Sequence, residues 1–307
     1  MSWILLILIA IIATAFLFFI DNYTSDFYFK GKDANGQKMF SGPAFLVLGI
    51  VFLFVGGLDF VNADPKSLVL LFVSGLLVSL SGIAYFKALE IDNSTNVSIF
   101  VQLRPVLYLI IGWAFLGDSL SMKQLLAFLL ILLVPFLIIA TTRKRSRDTQ
   151  IKAVLYIIIY VLIRVIGDLI FVKEHVSEIN FVTEMAFIFL GKGVCDLLIM
   201  YTHPKWRKRF NYVLKHSNKR VLFPISSAVT ISVVRTFAYQ LALITAPTIA
   251  IVSAATDSIT PIMVFFLGVI FTILWPKFGR EKLNRKIILV HLVATILVAI
   301  GIVLIQI

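Results

Sequence analysis

Runs of about 20 apolar residues, the length a helix needs to cross hydrocarbon, constrain this chain more than any other feature. Ten such runs can be marked, near residues 3–29, 42–61, 67–89, 94–117, 121–141, 151–173, 181–201, 221–244, 247–274 and 287–306. Lipid cannot satisfy an open sheet edge, so each run must close its backbone hydrogen bonds within itself, as a helix. The expected fold class is therefore an all-α integral membrane protein with ten transmembrane helices. Of the 307 residues 60% are hydrophobic, against roughly half in a soluble domain. The first run has no basic segment before it and continues past Ala13-Thr14-Ala15, so it reads as an uncleaved span rather than a signal peptide. Cys195 is the single cysteine, and it lies inside span seven.

The net charge of +12 is not a nucleic-acid signature, because the basic residues sit in short loops beside the spans. There they set orientation and attract anionic lipid headgroups. Under the ten-span count, the face with both termini receives only Lys66, Lys123 and Lys173. The opposite face receives Lys30, Lys32, Lys38 and Lys87, and the basic loops 143–152, 202–220 and 276–286. The positive-inside rule places those loops in the cytoplasm and both termini outside. The plasma (inner) membrane is the expected location.

The two halves of the chain echo each other. "AYFKAL" (84–89) returns as "AYQLAL" (238–243), "SIFVQLRPVLYLIIG" (98–112) as "AATDSITPIMVFFLG" (254–268), and "DSLSMK" (118–123) as "EKLNRK" (281–286). The order is the same in both copies, with Pro105 matching Pro261 and Gly112 matching Gly268. The copies divide the chain into residues 1–142 and 151–307, joined by a basic linker at 143–150. Each holds five spans, an odd number, so the second enters the membrane inverted. Inverted repeats are a hallmark of secondary transporters, with a site near the midplane between the copies.

These residues resemble the EamA-like family of the drug/metabolite transporter superfamily. The carriers are "YFKAL", "QLRPVLYLIIGWAFLGDSLSMKQ", their second copies through "PKFGREKLNRK", and Gly301 near the end. The resemblance implies ten helices in an inverted repeat, a central cavity lined chiefly by helices three, four, eight and nine, and movement of small metabolites, often by export. It also implies cytoplasmic termini, where the charge count gives the opposite.

Polar residues inside the spans are the candidate site. Arg104 lies near mid-membrane, where an ionisable residue faces a bundle interior or a water-filled cavity. Its guanidinium suits a carboxylate or phosphate, or a salt bridge to a neighbouring helix. Asp257, as deep in span nine, is a proton-coupling candidate, a partner for a cationic substrate group, or a fixed counter-ion for Arg104 or Arg235. Arg235 and Tyr239 are four apart and share a face of span eight with Gln240 close by; Tyr85 and Gln102 stand in the matching motifs of spans three and four. Aromatic and amide groups suit a small-molecule cavity of mixed polarity, while Tyr85 and Tyr239 also fit interfacial anchors. Asn22 with Asp26, and Arg164 with Asp168, are four-apart pairs read as structural. Glu184, Lys192 and Asp196 line one side of span seven and read as packing against another helix. Pro105 and Pro261 are helix-bending candidates, and Gly75, Ser79, Gly82, Gly191 and Cys195 would permit close helix contact.

Catalysis finds little support. The four His (His175, His203, His216 and His291) show no metal-ligand spacing, and no nucleophile motif, phosphate loop or dinucleotide fingerprint occurs. No metal or cofactor is expected, and the chain does not read as an enzyme. The expected partners are a small-molecule substrate and membrane lipid, with no nucleic acid. The leading expectation is a secondary transporter of an amino acid-like or other polar or amphipathic metabolite, working by alternating access, with proton-coupled export as its specific form. A flippase of a lipid-linked headgroup and a non-transporting membrane scaffold are the alternatives.

Overall fold

The computed structural model describes residues 2–28, 35–57, 59–91, 101, 103–117, 121–139, 147–175, 179–216 and 219–274, with isolated helical positions between 289 and 304. Among them the regular structure is helical and no strand occurs. The helices are α1 (Trp3–Tyr28), α2 (Asn35–Val55), α3 (Pro65–Ile91), α4 (Leu103–Leu116), α5 (Met122–Ile139), α6 (Arg147–Glu174), α7 (Phe181–Thr202), α8 (Pro204–His216), α9 (Lys219–Thr245) and α10 (Ile249–Leu274). Trp3–Ile20, Pro65–Ala88, Lys152–Glu174, Ser226–Thr245 and Ile249–Leu274 are long and apolar enough to cross a membrane, and Phe40–Val55 and Arg104–Phe115 are shorter apolar helices. The basic stretch 276–286, residues 143–146 of the linker, and the start of expected span four at 94–100 lie outside the described residues.

Two expectations need correction. Span two was expected to run to residue 61, but α2 ends at Val55. Gly57 follows at φ 78°, a left-handed position that ends helices and favours glycine, and a 3₁₀ turn covers Asp59–Val61. The connection at 202–220 was expected as a loop, yet it contains α8. Pro204 opens this helix, where its missing N–H breaks no intrahelical bond.

The chain forms two compact units, one of Met1–Tyr23, Asp92–Val154 and Ile231–Ile307, the other of Thr24–Ile91 and Leu155–Thr230. Each takes segments from both sides of the 143–150 linker.

In the Thr24–Ile91/Leu155–Thr230 unit, α7 packs between α2 and α3. Small residues allow this: a Cβ added at Gly75 would run into the Ile188 carbonyl, and one at Gly191 into the Phe72 carbonyl. The α3 and α7 backbones thus touch directly, the mode of association that membrane helices use when apolar area alone gives no drive. On the other side, Phe45 of α2 stacks on Phe189 of α7 at 5.4 Å between centroids. Ser74 Oγ donates to the Gly167 carbonyl at 2.8 Å, tying α3 to α6.

In the other unit, α10 packs on α4 and α5. Its first three turns are submerged, with Ile251, Val252, Ser253 and Ala254 fully buried. Thr248 precedes the helix and its Oγ1 accepts from the Ile251 N–H at 3.4 Å, the role of an N-cap. Farther along, Phe271 meets the ring of Phe19 edge-on at 4.9 Å.

Candidate functional site: a buried arginine–aspartate pair

Arg104 is the second residue of α4, and Asp257 lies on the third turn of α10. The packing of these helices brings the two side chains together. Arg104 Nε donates to Asp257 Oδ2 at 2.8 Å, and Arg104 Nη2 donates to Asp257 Oδ1. This is the two-pronged geometry for which guanidinium and carboxylate are matched. The side chains are 9% and 7% exposed, so neither charge is held by bulk water, and each depends on the other. Ser253, one turn earlier on α10, donates its hydroxyl to Asp257 Oδ2 at 3.1 Å. The ring of Tyr239 on α9 stands 5.7 Å from the guanidinium carbon, within cation–π range.

The surroundings are polar but locally organised. Thr256 Oγ1 donates to the Val252 carbonyl at 2.7 Å and Thr260 Oγ1 to the Thr256 carbonyl at 2.6 Å. These hydroxyls return to their own helix, a standard resolution for buried threonine. Gln240 is fully buried beside Tyr239. Pro105 lies in α4 directly after Arg104. Pro261 lies within α10, and as it has no N–H, the carbonyl of Asp257, four residues earlier, loses its usual intrahelical donor.

Arg235 is half-buried on α9, one turn before Tyr239. Tyr85 belongs to the Thr24–Ile91/Leu155–Thr230 unit, where its ring packs against Tyr160 of α6 at 5.3 Å. Gln102 and the side chains of Asn22, Asp26 and Pro261 lie outside the described residues. Arg164 Nε donates to Asp168 Oδ2 at 2.8 Å along α6. Ser253 was not singled out from sequence, although its position four residues before Asp257 is the signal that would have found it.

The charges of α7 have their own partners. Asp196 accepts from Ser41 Oγ of α2 at 2.9 Å and from Ser79 Oγ of α3. Lys192 Nζ sits 4.0 Å from the ring centroid of Phe45. Glu184 meets His175 Nδ1 at 2.8 Å. These side chains bind α7 to its neighbours, in line with the packing reading of span seven.

No curated protein matches the chain. A crystal structure of a protein superposes on it with a TM-score of 0.63 at 12% identity, covering 96% of this chain and 95% of the other; at that identity the likeness is one of fold. The apolar helices make the chain a multi-pass integral membrane protein, and over residues 1–140 it matches the model of the EamA-like transporter family, membrane transporters of the drug/metabolite transporter superfamily.

Proposed function

We propose that this protein is a secondary transporter that moves a small zwitterionic or anionic metabolite, amino acid-like in its charges, by alternating access. The observation that carries this reading is the Arg104–Asp257 pair, buried and matched end to end. Such a pair is the mirror of a zwitterion. A substrate carboxylate would take the place of Asp257 on the Arg104 guanidinium, while its ammonium would take the place of Arg104 on the Asp257 carboxylate. The inserted ligand leaves no charge unpaired, so the exchange avoids the large cost of an isolated buried ion. Tyr239 and Gln240 would supply an aromatic wall and an amide.

The same pair gives coupling. A proton and a substrate ammonium would compete for one carboxylate, Asp257, so loading one releases the other. That competition is the logic of antiport and fits proton-coupled export. Protonated Asp257 would leave Arg104 holding the substrate carboxylate alone, a weaker grip from which the solute departs. The architecture behind this reading is ten spans in two inverted five-helix repeats, with the basic loops in the cytoplasm and both termini outside the plasma membrane. It is supported by the doubled motifs, which set Pro105 and Pro261 at matched positions in the two copies.

The test is counterflow in proteoliposomes loaded with a labelled pool of amino acids, sugars and nucleotide derivatives. Wild type should exchange an amino acid-like solute saturably, Arg104→Ala should abolish exchange, and Asp257→Asn should uncouple transport from a pH gradient. Absence of exchange for every solute, from protein shown to be folded, would defeat the proposal. It would move weight to a lipid-headgroup flippase and then to a scaffold.

A further inference from the structure

We infer that the outward face of α8 is a binding site for the headgroups of anionic phospholipids. Helix α8, "PKWRKRFNYVLKH", is strongly two-sided. At 100° per residue, Arg207, Lys208, Asn211 and Lys215 fall on one side, and Trp206 and Phe210 on the other. The apolar side is docked on protein. Trp206 is buried in a cluster with Met200, Leu197 and Ile199 of α7, Ile83 of α3 and Phe210. His203 stacks on the Trp206 indole at 4.1 Å, and Phe210 meets Phe40 of α2 at 4.7 Å. The basic side is exposed: Lys205, Arg207, Lys208 and Lys215 all face outward.

Position selects the occupant. Ile83 is close to the end of the apolar segment Pro65–Ala88, and Phe40 opens the apolar helix Phe40–Val55. A helix resting on both lies where hydrocarbon gives way to headgroups. The charge is also uncompensated in sequence, because no Asp or Glu occurs between Asp196 and Asp257. A row of fixed cations at headgroup depth is complementary to phosphodiesters, and arginine adds two-pronged grip on phosphate oxygens. Because Trp206 and Phe210 already hold the helix, binding a lipid orders side chains and not backbone. The usual interfacial helix lays its apolar face in lipid; α8 turns that face to protein and keeps its cations for lipid.

The inference does not depend on the transport reading and is tested separately from it. Full-length protein in neutral detergent is titrated with phosphatidylglycerol or phosphatidylcholine, and bound lipid is read by native mass spectrometry. Wild type should hold phosphatidylglycerol in preference to phosphatidylcholine. The variant R207Q/K208Q/K215Q should weaken that binding by about fivefold for each charge removed, while R143Q/K144Q/R145Q, with the same loss of net charge, should weaken it clearly less. Equal retention of both lipids by wild type would overturn the inference. So would undiminished preference in the α8 variant, or an equal loss in the linker variant, which would make the effect one of net charge. Should the α8 variant not fold, wild type decides: raising salt from about 0.1 to about 1 M, which shortens the screening length roughly threefold, should erase the preference, and its persistence would refute a headgroup contact. Tight binding of an acidic peptide with no lipid preference would also refute it and assign the face to a protein partner.

Discussion

Breaking the Arg104–Asp257 pair from one side should cost far more than replacing both partners. Arginine cannot shed its proton in a protein, so Asp257→Asn leaves a guanidinium that is 9% exposed facing a neutral amide and the Tyr239 ring. Removing one partner of a buried pair costs about 3–5 kcal/mol, because the other charge stays buried. Arg104→Gln removes the cation from the Asp257 carboxylate, leaving the Ser253 hydroxyl as a neutral donor to it, and should cost a similar amount. The double variant Arg104→Gln/Asp257→Asn places two neutral amides where the ions met, a change that is often near neutral. Hydrogen bonds between membrane helices average only about 0.6 kcal/mol, so an ordinary polar contact would give a coupling of that size. The pair should instead give a coupling of at least about 2 kcal/mol. Reversible unfolding of the full chain in mixed micelles, titrated with a denaturing detergent, measures all four proteins. Additive single losses in the double variant, with coupling below about 0.5 kcal/mol, would refute the claim that these charges depend on each other.

Gly75→Val should abolish the backbone contact between α3 and α7, since its new Cβ meets the Ile188 carbonyl; overpacking by a side chain that cannot yield typically costs about 1–3 kcal/mol or more, read as lost monodisperse protein on size exclusion. Asp196→Ala should destabilise by about 1–3 kcal/mol by removing the carboxylate that accepts from the Ser41 and Ser79 hydroxyls, whereas Asp196→Asn, which keeps an acceptor oxygen, should lower the unfolding temperature less; equal effects would show that the hydroxyl contacts carry no weight. Ser2→Cys in a Cys195→Ala background should react with an impermeant maleimide in intact cells, as the basic-loop asymmetry requires, and labelling only after lysis would reverse the orientation.

Much of the fold was legible because a bilayer restricts the alternatives so severely. Apolar runs locate helices in lipid, and α1, α3, α6, α9 and α10 follow the runs to within a few residues at most ends. The exceptions are informative. Residues 56–61 looked like the end of a span because Leu58, Phe60 and Val61 are apolar, but Gly56-Gly57 outweighs them: a glycine at positive φ ends the helix whatever follows. Residues 204–216 looked like a loop because counting lysines and arginines hides the periodicity beneath them. Trp206 and Phe210, four apart after a proline, are a helix signal that net charge obscures. At the site, Arg104 and Asp257 were each legible as expensive ions. Their pairing was one of several open options, because which helices pack together is set by side-chain fit that spacing along the chain does not encode.

Two aspartates illustrate why the pair, and not every buried charge, is the place to look for transport. Asp196 and Asp257 are buried to a similar degree, at 3% and 7% exposure. Asp196 accepts from serines on α2 and α3, helices whose contact with α7 is enforced by Gly49 against Leu190 and Gly191 against the Phe72 carbonyl. A ligand entering there would have to separate backbones already in contact and displace the Ser41 and Ser79 hydroxyls. Asp257 accepts instead from a cationic side chain with several rotatable bonds, whose guanidinium can re-form the same two hydrogen bonds with any carboxylate of equal reach. Replacing a charge by a like charge conserves the electrostatic balance of the site, whereas replacing a hydroxyl by a charge does not. An exchange reaction inside a membrane has to be near neutral in free energy to run in both directions, and the pairing of Asp257 with Arg104 meets that condition.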